Sequence, residues 1–246
     1  MDTNMIASRP MQSGWHVSVL IPARDEEQLL PRCLHSVLVA RSMLDEFTTS
    51  DIVVVADSSS DRTAQIATAI LGKQGKVLPA TAGAAGVARL LAANYALSRT
   101  RKPFESWWLA NTDADCIVPP AWLTDQLRLA RAGIEAFTGT VSVDSFEEHS
   151  PQVADRFRAS YTIASDGSHS HVHGANLGVR ADSYLRAGGW SPLDTAEDHD
   201  LWNRLIRNHA TVVSTARIEV ITSGRRVGRA PDGFADALAA HNEVAA

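Results

Sequence analysis

Three short apolar runs, at residues 16–21, 51–56 and 106–110, each stop at a polar cluster rich in acids, and helical patterns fill the intervals between them. Apolar runs alternating with helices indicate an α/β fold on a largely parallel sheet. The clusters are Ala23-Arg24-Asp25-Glu26, Asp57-Ser58-Ser59-Ser60-Asp61 and Asp113-Ala114-Asp115. Each follows the carboxyl end of a different strand, the edge at which open α/β sheets bind ligands. Three acidic clusters converging there favour a cation-and-phosphate site over three unrelated turns.

The intervals are legible from spacing. Leu29, Leu30, Cys33, Leu34, Val37 and Leu38 repeat at helical period after the first strand, which Pro22 stops. Asp61 is placed to cap a helix carrying Ala64, Ala67, Ile70 and Leu71, and Glu26 and Glu27 suit a helix N-terminus electrostatically. A short strand at 76–78 leads through the small-residue loop 81–86 to a helix around Leu90, Leu91 and Tyr95. Pro119-Pro120 opens another helix, at a first-turn position where a missing N–H costs nothing. The second half predicts a strand at 136–143, a helix at 151–164, a strand at 176–180 and a helix at 197–208. Strands at 211–214 and 217–222 and a terminal helix over 234–246 follow. No linker or repeat divides the chain, and 246 residues suit one domain over 1–246 with a sizeable core.

Composition narrows the function. A net charge of −5 with no dominant basic face argues against nucleic acid as a partner. Cys33 and Cys116 are too few and too poorly spaced for a zinc site or a disulfide framework, which points to a reducing compartment. Residues 1–14 lack the apolar core of a signal peptide, and no apolar run approaches the ~20 residues that cross a bilayer. A cytoplasmic protein without a transmembrane segment is expected. Asp113 and Asp115, one residue apart beyond a buried strand, are well placed for a divalent cation. Carboxylate oxygens are hard ligands that suit Mg²⁺ or Mn²⁺, ions that share their other positions with substrate phosphates.

Three segments stand out as a set: Val19-Leu20-Ile21-Pro22-Ala23-Arg24-Asp25-Glu26-Glu27, Val53-Val54-Val55-Ala56-Asp57-Ser58-Ser59-Ser60-Asp61-Arg62-Thr63 and Thr112-Asp113-Ala114-Asp115. Together they closely resemble family 2 glycosyltransferases of the GT-A fold. Downstream, Gly174-Ala175-Asn176 and Gly188-Gly189-Trp190 precede Glu197-Asp198-His199-Asp200-Leu201-Trp202, which looks like that family's Glu-Asp acceptor-side motif. The likeness runs over residues 17–222 in one order and spacing. It implies a mainly parallel, Rossmann-like central sheet flanked by helices, with a nucleotide-sugar-binding half at about 15–118 and an acceptor-binding half at about 119–230. The implied donor is a UDP-, GDP- or dTDP-sugar, and the acceptor a small molecule, glycan or lipid-linked group. By this resemblance Pro22, Arg24 and Asp25 lie along the nucleoside, and Asp57 reads the base. Asp113 faces the ribose or the metal, Asp115 is the principal ligand of Mn²⁺ or Mg²⁺, and Glu197 belongs to the acceptor side. Asp198 matches the catalytic base of a single displacement with inversion. Trp190 is expected to stack on a sugar or lipid group.

Several positions depart from the family pattern. Many relatives have Asn where Asp25 stands and paired aspartates where Ala56-Asp57 stands, and Ala93-Asn94 replaces a common Arg-Asn pair. Arg89, one helical turn earlier, is an even choice between a diphosphate contact and a solvated helix charge. Arg225, Arg226 and Arg229 lie in a glycine-punctuated segment that suits a basic loop closing over a diphosphate. Some enzymes of this fold place a histidine metal ligand near there, where this chain offers Thr222 and Ser223. His169, His171 and His173 alternate as on one strand face, but without matching Cys or carboxylates a polar surface loop is the better reading. The processive Gln-x-x-Arg-Trp pattern is absent, so transfer of one sugar is expected. Three alternatives compete. A retaining enzyme of glucosylglycerate or mannosylglycerate type is disfavoured by Glu197-Asp198, and a nucleotidylyltransferase by the glycine-free segment 22–26. A degenerate binding module is disfavoured by Asp113, Asp115 and Asp198.

Overall fold

The structure, a computed structural model, describes residues 14–99, 102–229 and 233–242. The polar start over 1–13 and the last part of the expected terminal helix, 243–246, lie outside the described residues. In chain order the elements are β1 (His16–Ala23), α1 (Leu30–Ser42), β2 (Thr49–Asp57), α2 (Thr63–Leu71), β3 (Lys76–Ala80) and α3 (Ala85–Arg99). Then come β4 (Trp107–Asn111), α4 (Trp122–Arg131), β5 (Ala136–Val143), α5 (Val153–Ser160), β6 (Leu177–Arg180) and α6 (Ala181–Arg186). The series ends with α7 (Glu197–Arg207), β7 (Val212–Thr222) and α8 (Phe234–Ala240). No helix among the described residues is long and apolar enough to cross a membrane.

Among the described residues the strands form one sheet in the order β3-β2-β1-β4-β6-β5-β7. Pairing is parallel throughout β3-β2-β1-β4 and between β5 and β7, while β6 runs antiparallel to both its neighbours. The largely parallel sheet expected from the sequence is therefore present, with one strand reversed. That reversal matters for the site. It brings the start of β6, and the turn of Gly174–Asn176 before it, to the edge where β1, β2, β4, β5 and β7 end.

The central strands are apolar on both faces because both are covered. Val17, Val19 and Ile21 of β1 pack with Leu30, Leu34 and Val37 of α1 and Trp122 of α4. Leu20, Val53 and Val55 face the opposite way, against Ala88, Ala92 and Ala96 of α3 and Leu201 and Leu205 of α7. Trp107 and Trp108 are core residues, their indole N–H groups donating to Ser18 Oγ at 3.0 Å and Gln126 Oε1 at 2.7 Å.

Local expectations are corrected in four places. Helix 151–164 is the shorter α5. The two strands near 211–214 and 217–222 are the single strand β7, whose register on β5 shifts between Gly139 and Thr140. Asn176 explains the irregularity: its Nδ2 donates to both Thr140 O and Ile218 O at 2.9 Å, and a Cβ on Gly139 would lie 2.2 Å from that nitrogen. The cap position of α2 falls on Arg62, although Asp61 still accepts the Thr63 N–H at 2.9 Å. Glu26 and Glu27 precede α1 without acting in its first turn: Glu27 pairs with Arg62 at 3.0 Å, and Glu26 turns into the crevice described next.

Candidate active site

The loops after β1, β2, β4 and β7, the turn before β6 and the first turn of α7 wall one crevice of about 510 Å³. Pro22, Arg24, Asp57, Arg89, Asp113, Asp115, Glu197, Asp198 and Arg225 all line it. Asp25 and Trp190 are the expected site residues that do not.

Its floor is a buried lattice of charge. Arg89, 2% exposed, places Nη2 at 2.5 Å from Asp113 Oδ1 and Nε at 3.2 Å from Glu197 Oε1. This guanidinium is therefore not a solvated helix charge, and its Nη1 has no hydrogen-bond partner. It passes so close to Gly174 that a Cβ there would lie 2.6 Å from Nη2, so a side chain at 174 would push the guanidinium from this position. Arg225 spans Glu26 Oε1 at 2.7 Å and Asp115 Oδ2 at 3.0 Å. Four carboxylates thus meet two guanidiniums, an excess of two negative charges when all four are ionised. Burial pushes the Asp115 carboxyl up to about 7, against the pull of Arg225, and raises Glu26 and Glu197 as well.

Those two charges bear on the metal question. Ligand atoms of Asp113, Asp115 and Cys116 lie within 4.8 Å of one another, the one such group among the described residues. Burial pushes the Cys116 thiol well up, so it stays protonated and the two carboxylates are the hard donors. A pair of oxygen donors, among carboxylates that outnumber their guanidinium partners, fits Mn²⁺ or Mg²⁺. The backbone here is held from α1: Arg32 Nη2 donates to Asp115 O at 2.9 Å and Cys33 Sγ to Asp113 O at 3.3 Å.

On the nucleoside side, Asp57 is 4% exposed at the end of β2. Its Oδ1 accepts the Ala82 N–H at 2.7 Å and the Ser58 hydroxyl at 3.2 Å, which leaves Oδ2 for a ligand. Arg24 is exposed at the rim, its Nη1 at 3.4 Å from Gly83 O. Asp25 turns away. With φ at 50° it accepts the Ser60 N–H at 2.7 Å and the Ser60 hydroxyl at 3.1 Å, tying the first cluster to the second. These bonds hold its carboxyl below the usual range, and the expected nucleoside contact is corrected to a loop-closing one.

On the opposite wall, α7 begins after Ala196, whose φ of 57° turns the chain sharply into the helix. Asp198 accepts the Gly174 N–H on Oδ2 and the His199 N–H on Oδ1, both at 2.7 Å. Trp190 offers no face to the crevice. It is 2% exposed, beneath the Arg89 guanidinium at 5.3 Å, so the expected stacking platform is a core residue. The three histidines are not a polar surface loop either. His171 stacks on Tyr161 at 4.0 Å, His171 and His173 lie parallel at 6.0 Å, and His173 reaches the crevice. Arg32 and Tyr161 carry no mark in the sequence as site residues, because Arg32 meets Asp115 across 83 residues and Tyr161 meets His173 across an irregular loop.

The sequence profile described as "Glycosyl transferase family 2" matches residues 18–185. Comparison with curated protein sequences gives no match. Among solved structures, the chain is similar to S. aureus TarS 1–349 in complex with UDP-GlcNAc, at 15% identity and a TM-score of 0.65 over 89% of this chain and 61% of that one. It is similar to the mannosyltransferase PcManGT from Pyrobaculum calidifontis in complex with GDP-Man and Mn²⁺, at 16% and 0.62 over 87% and 58%. GalNAc-T7 with UDP, GalNAc and Mn²⁺ gives 15% and 0.62 over 87% and 45%. At these identities the likeness is one of fold, and the chain spans about three fifths of the length of the S. aureus protein compared.

Proposed function

The chain belongs to glycosyl transferase family 2 and has the GT-A fold, and from that premise we propose that it transfers one sugar from a nucleoside-diphosphate sugar to an acceptor hydroxyl, with inversion. The observation that carries the reading is the meeting of Asp57, Asp113, Asp115 and Asp198, from two strand ends and one helix start, around one crevice. Residues 15–118 hold the donor and 119–230 receive the acceptor. Asp57 Oδ2 accepts from the base edge, with Pro22 and Arg24 along the nucleoside.

Asp113 and Asp115 would hold Mn²⁺ or Mg²⁺, whose charge offsets the negative charge that develops on the departing diphosphate. Arg225 adds positive charge at the same edge. As the bond from the anomeric carbon to the diphosphate oxygen breaks and the bond to the acceptor oxygen forms, the hydroxyl proton passes to Asp198. Two backbone N–H groups already hold that carboxylate, so little reorganisation accompanies the step.

A thermal-shift panel of UDP-, GDP- and dTDP-sugars with and without Mn²⁺ identifies the donor, and NMR of the product gives the anomer. Asp198→Asn should bind donor within about threefold of wild type while turnover falls roughly 10²–10⁴-fold. Near-normal turnover would displace Asp198 as the base, and a product of retained configuration would overturn inversion.

A further inference from the structure

Beside Asp198 the crevice wall carries a histidine that the reaction above does not use. His173 directly precedes Gly174, whose N–H donates to Asp198 Oδ2 at 2.7 Å, and His173 is among the residues that line the crevice. The ring is fixed by its neighbours. Tyr161 lies within 7° of its plane at 5.9 Å, His171 is parallel at 6.0 Å, and Phe234 of α8 meets it edge-on at 6.2 Å.

The hydrogen bonds decide which ring nitrogen carries the proton. Tyr161 Oη accepts the Val141 N–H at 3.0 Å, and its own hydroxyl proton remains to be donated. The partner for that proton is His173 Nε2, at 2.7 Å. A phenol donating to Nε2 needs that nitrogen bare, so the imidazole proton sits on Nδ1. The reverse polarity would leave a half-buried phenol proton without an acceptor, which costs more than the bond returns. Burial acts in the same direction, holding the imidazole neutral, pushed down to about 3, and the phenol protonated, pushed up to about 12. Among the described residues no group accepts from Nδ1.

We propose that His173 is an acceptor-binding residue that donates its Nδ1–H to an oxygen neighbouring the attacked hydroxyl, and that Tyr161 is its positioning residue, fixing the tautomer. The proposal rests on the reading of Asp198 as the base on the acceptor side. A neutral N–H that neither accepts nor becomes a cation suits a hydroxyl, ether or carbonyl oxygen. It discriminates against a methylene or an ammonium group at the same place. The acceptor class it selects is a polyol or glycan with an oxygen next to the nucleophile. One neutral hydrogen bond of this kind is worth about five- to tenfold in acceptor affinity.

Long-range ¹H–¹⁵N spectra of histidine-labelled protein test the tautomer without any ligand. In wild type, His173 should be wholly Nδ1-protonated near neutral pH. Tyr161→Phe keeps the aromatic stack and loses the hydroxyl, so His173 should become a mixture of tautomers. An Nε2-protonated ring in wild type, or an unchanged tautomer in Tyr161→Phe, overturns the proposal. The second measurement titrates glycerol and methyl glucoside into protein with and without UDP and Mg²⁺. The His173 Nδ1–H signal should shift saturably, with a midpoint raised in Tyr161→Phe by the inverse of the Nδ1-protonated fraction that remains, about two- to fivefold for a fraction of about a half to a fifth. Absence of any His173 response to both polyols overturns the acceptor role. A polyol response without any sugar nucleotide binding would sustain the His173 site and sink the transferase reading instead.

Discussion

Replacing Arg89 by Met tests whether buried charge holds the two walls of the crevice together. The guanidinium sits between Asp113 at 2.5 Å and Glu197 at 3.2 Å, and the two ends are unequal. The Asp113 side chain is 37% exposed, so water can replace the arginine there and that end contributes on the order of 0–1 kcal/mol. The Glu197 side chain is only 10% exposed, and a buried charge stripped of its partner costs about 3–5 kcal/mol. Met keeps most of the volume of the arginine stem and loses the guanidinium that lies over Trp190 at 5.3 Å. The expected loss for Arg89→Met is therefore about 3–4 kcal/mol at pH 7.5, most of it at Glu197. Burial already holds the Glu197 carboxyl above its ordinary value of 4.5, with Arg89 pulling it down, and removing Arg89 raises it further. A carboxyl raised in the folded state binds more protons folded than unfolded. Its contribution is fully present below the unfolded value and is lost as pH rises through the folded one. The deficit of Arg89→Met against wild type should thus shrink between pH 7.5 and pH 5. Adding Glu197→Gln should recover roughly 2 kcal/mol of it at pH 7.5. Urea denaturation followed by circular dichroism, on the four proteins of this cycle at both pH values, measures each term. A deficit below about 1 kcal/mol, or an equal loss with and without Glu197→Gln, would refute the reasoning.

Asp115→Asn keeps the shape of the site and removes a charge, so it should abolish the Mn²⁺-dependent increment in nucleotide affinity; calorimetry showing the same increment as wild type would refute this. Asp57→Asn retains an acceptor for the Ala82 N–H but turns the other oxygen into a donor, and nucleotide binding should weaken by about 1–3 kcal/mol. Unchanged affinity would remove Asp57 from base recognition. Gly174→Ala places a Cβ 2.6 Å from Arg89 Nη2 and should cost about 1–3 kcal/mol in thermal or urea unfolding. A neutral result would mean that the Arg89 side chain swings clear of the site.

What the sequence disclosed follows the range of the interactions involved. Strand runs, helical period and the acids at strand ends are local, so β1, β2, β4, α1 and the three clusters could be read directly. The direction of β6 could not, because four residues carry no mark of which way they run in a sheet. The irregularity in β7 was equally hidden: it depends on Asn176 bonding to Ile218 across 42 residues and to Thr140 across 36. Arg89 was undecidable from its helix for the same reason, its Glu197 partner being 108 residues away.

The residues beside the motifs share a physical feature. Asp25, Arg89, Arg225 and Trp190 each lie near a motif and each carries a group suited to a ligand, so each invites an outward assignment. In the fold each has a protein partner, and Arg89 and Arg225 hold theirs while lining the crevice. A site that must hold several like charges at fixed separations cannot leave them to solvent alone. The carboxylates repel, and burial penalises every one of them, as the raised Glu26, Asp115 and Glu197 show. Guanidiniums and backbone N–H groups are what keep them ionised and in place before a donor arrives. The residues flanking a motif are thus recruited to hold its acids, and fewer of them remain for the substrate than the motif alone suggests. The same logic explains why Gly174 serves both sides: its missing side chain lets Arg89 reach Asp113, and its N–H fixes Asp198. One glycine therefore sets the spacing between the carboxylate that would grip the donor and the one that would receive the acceptor's proton.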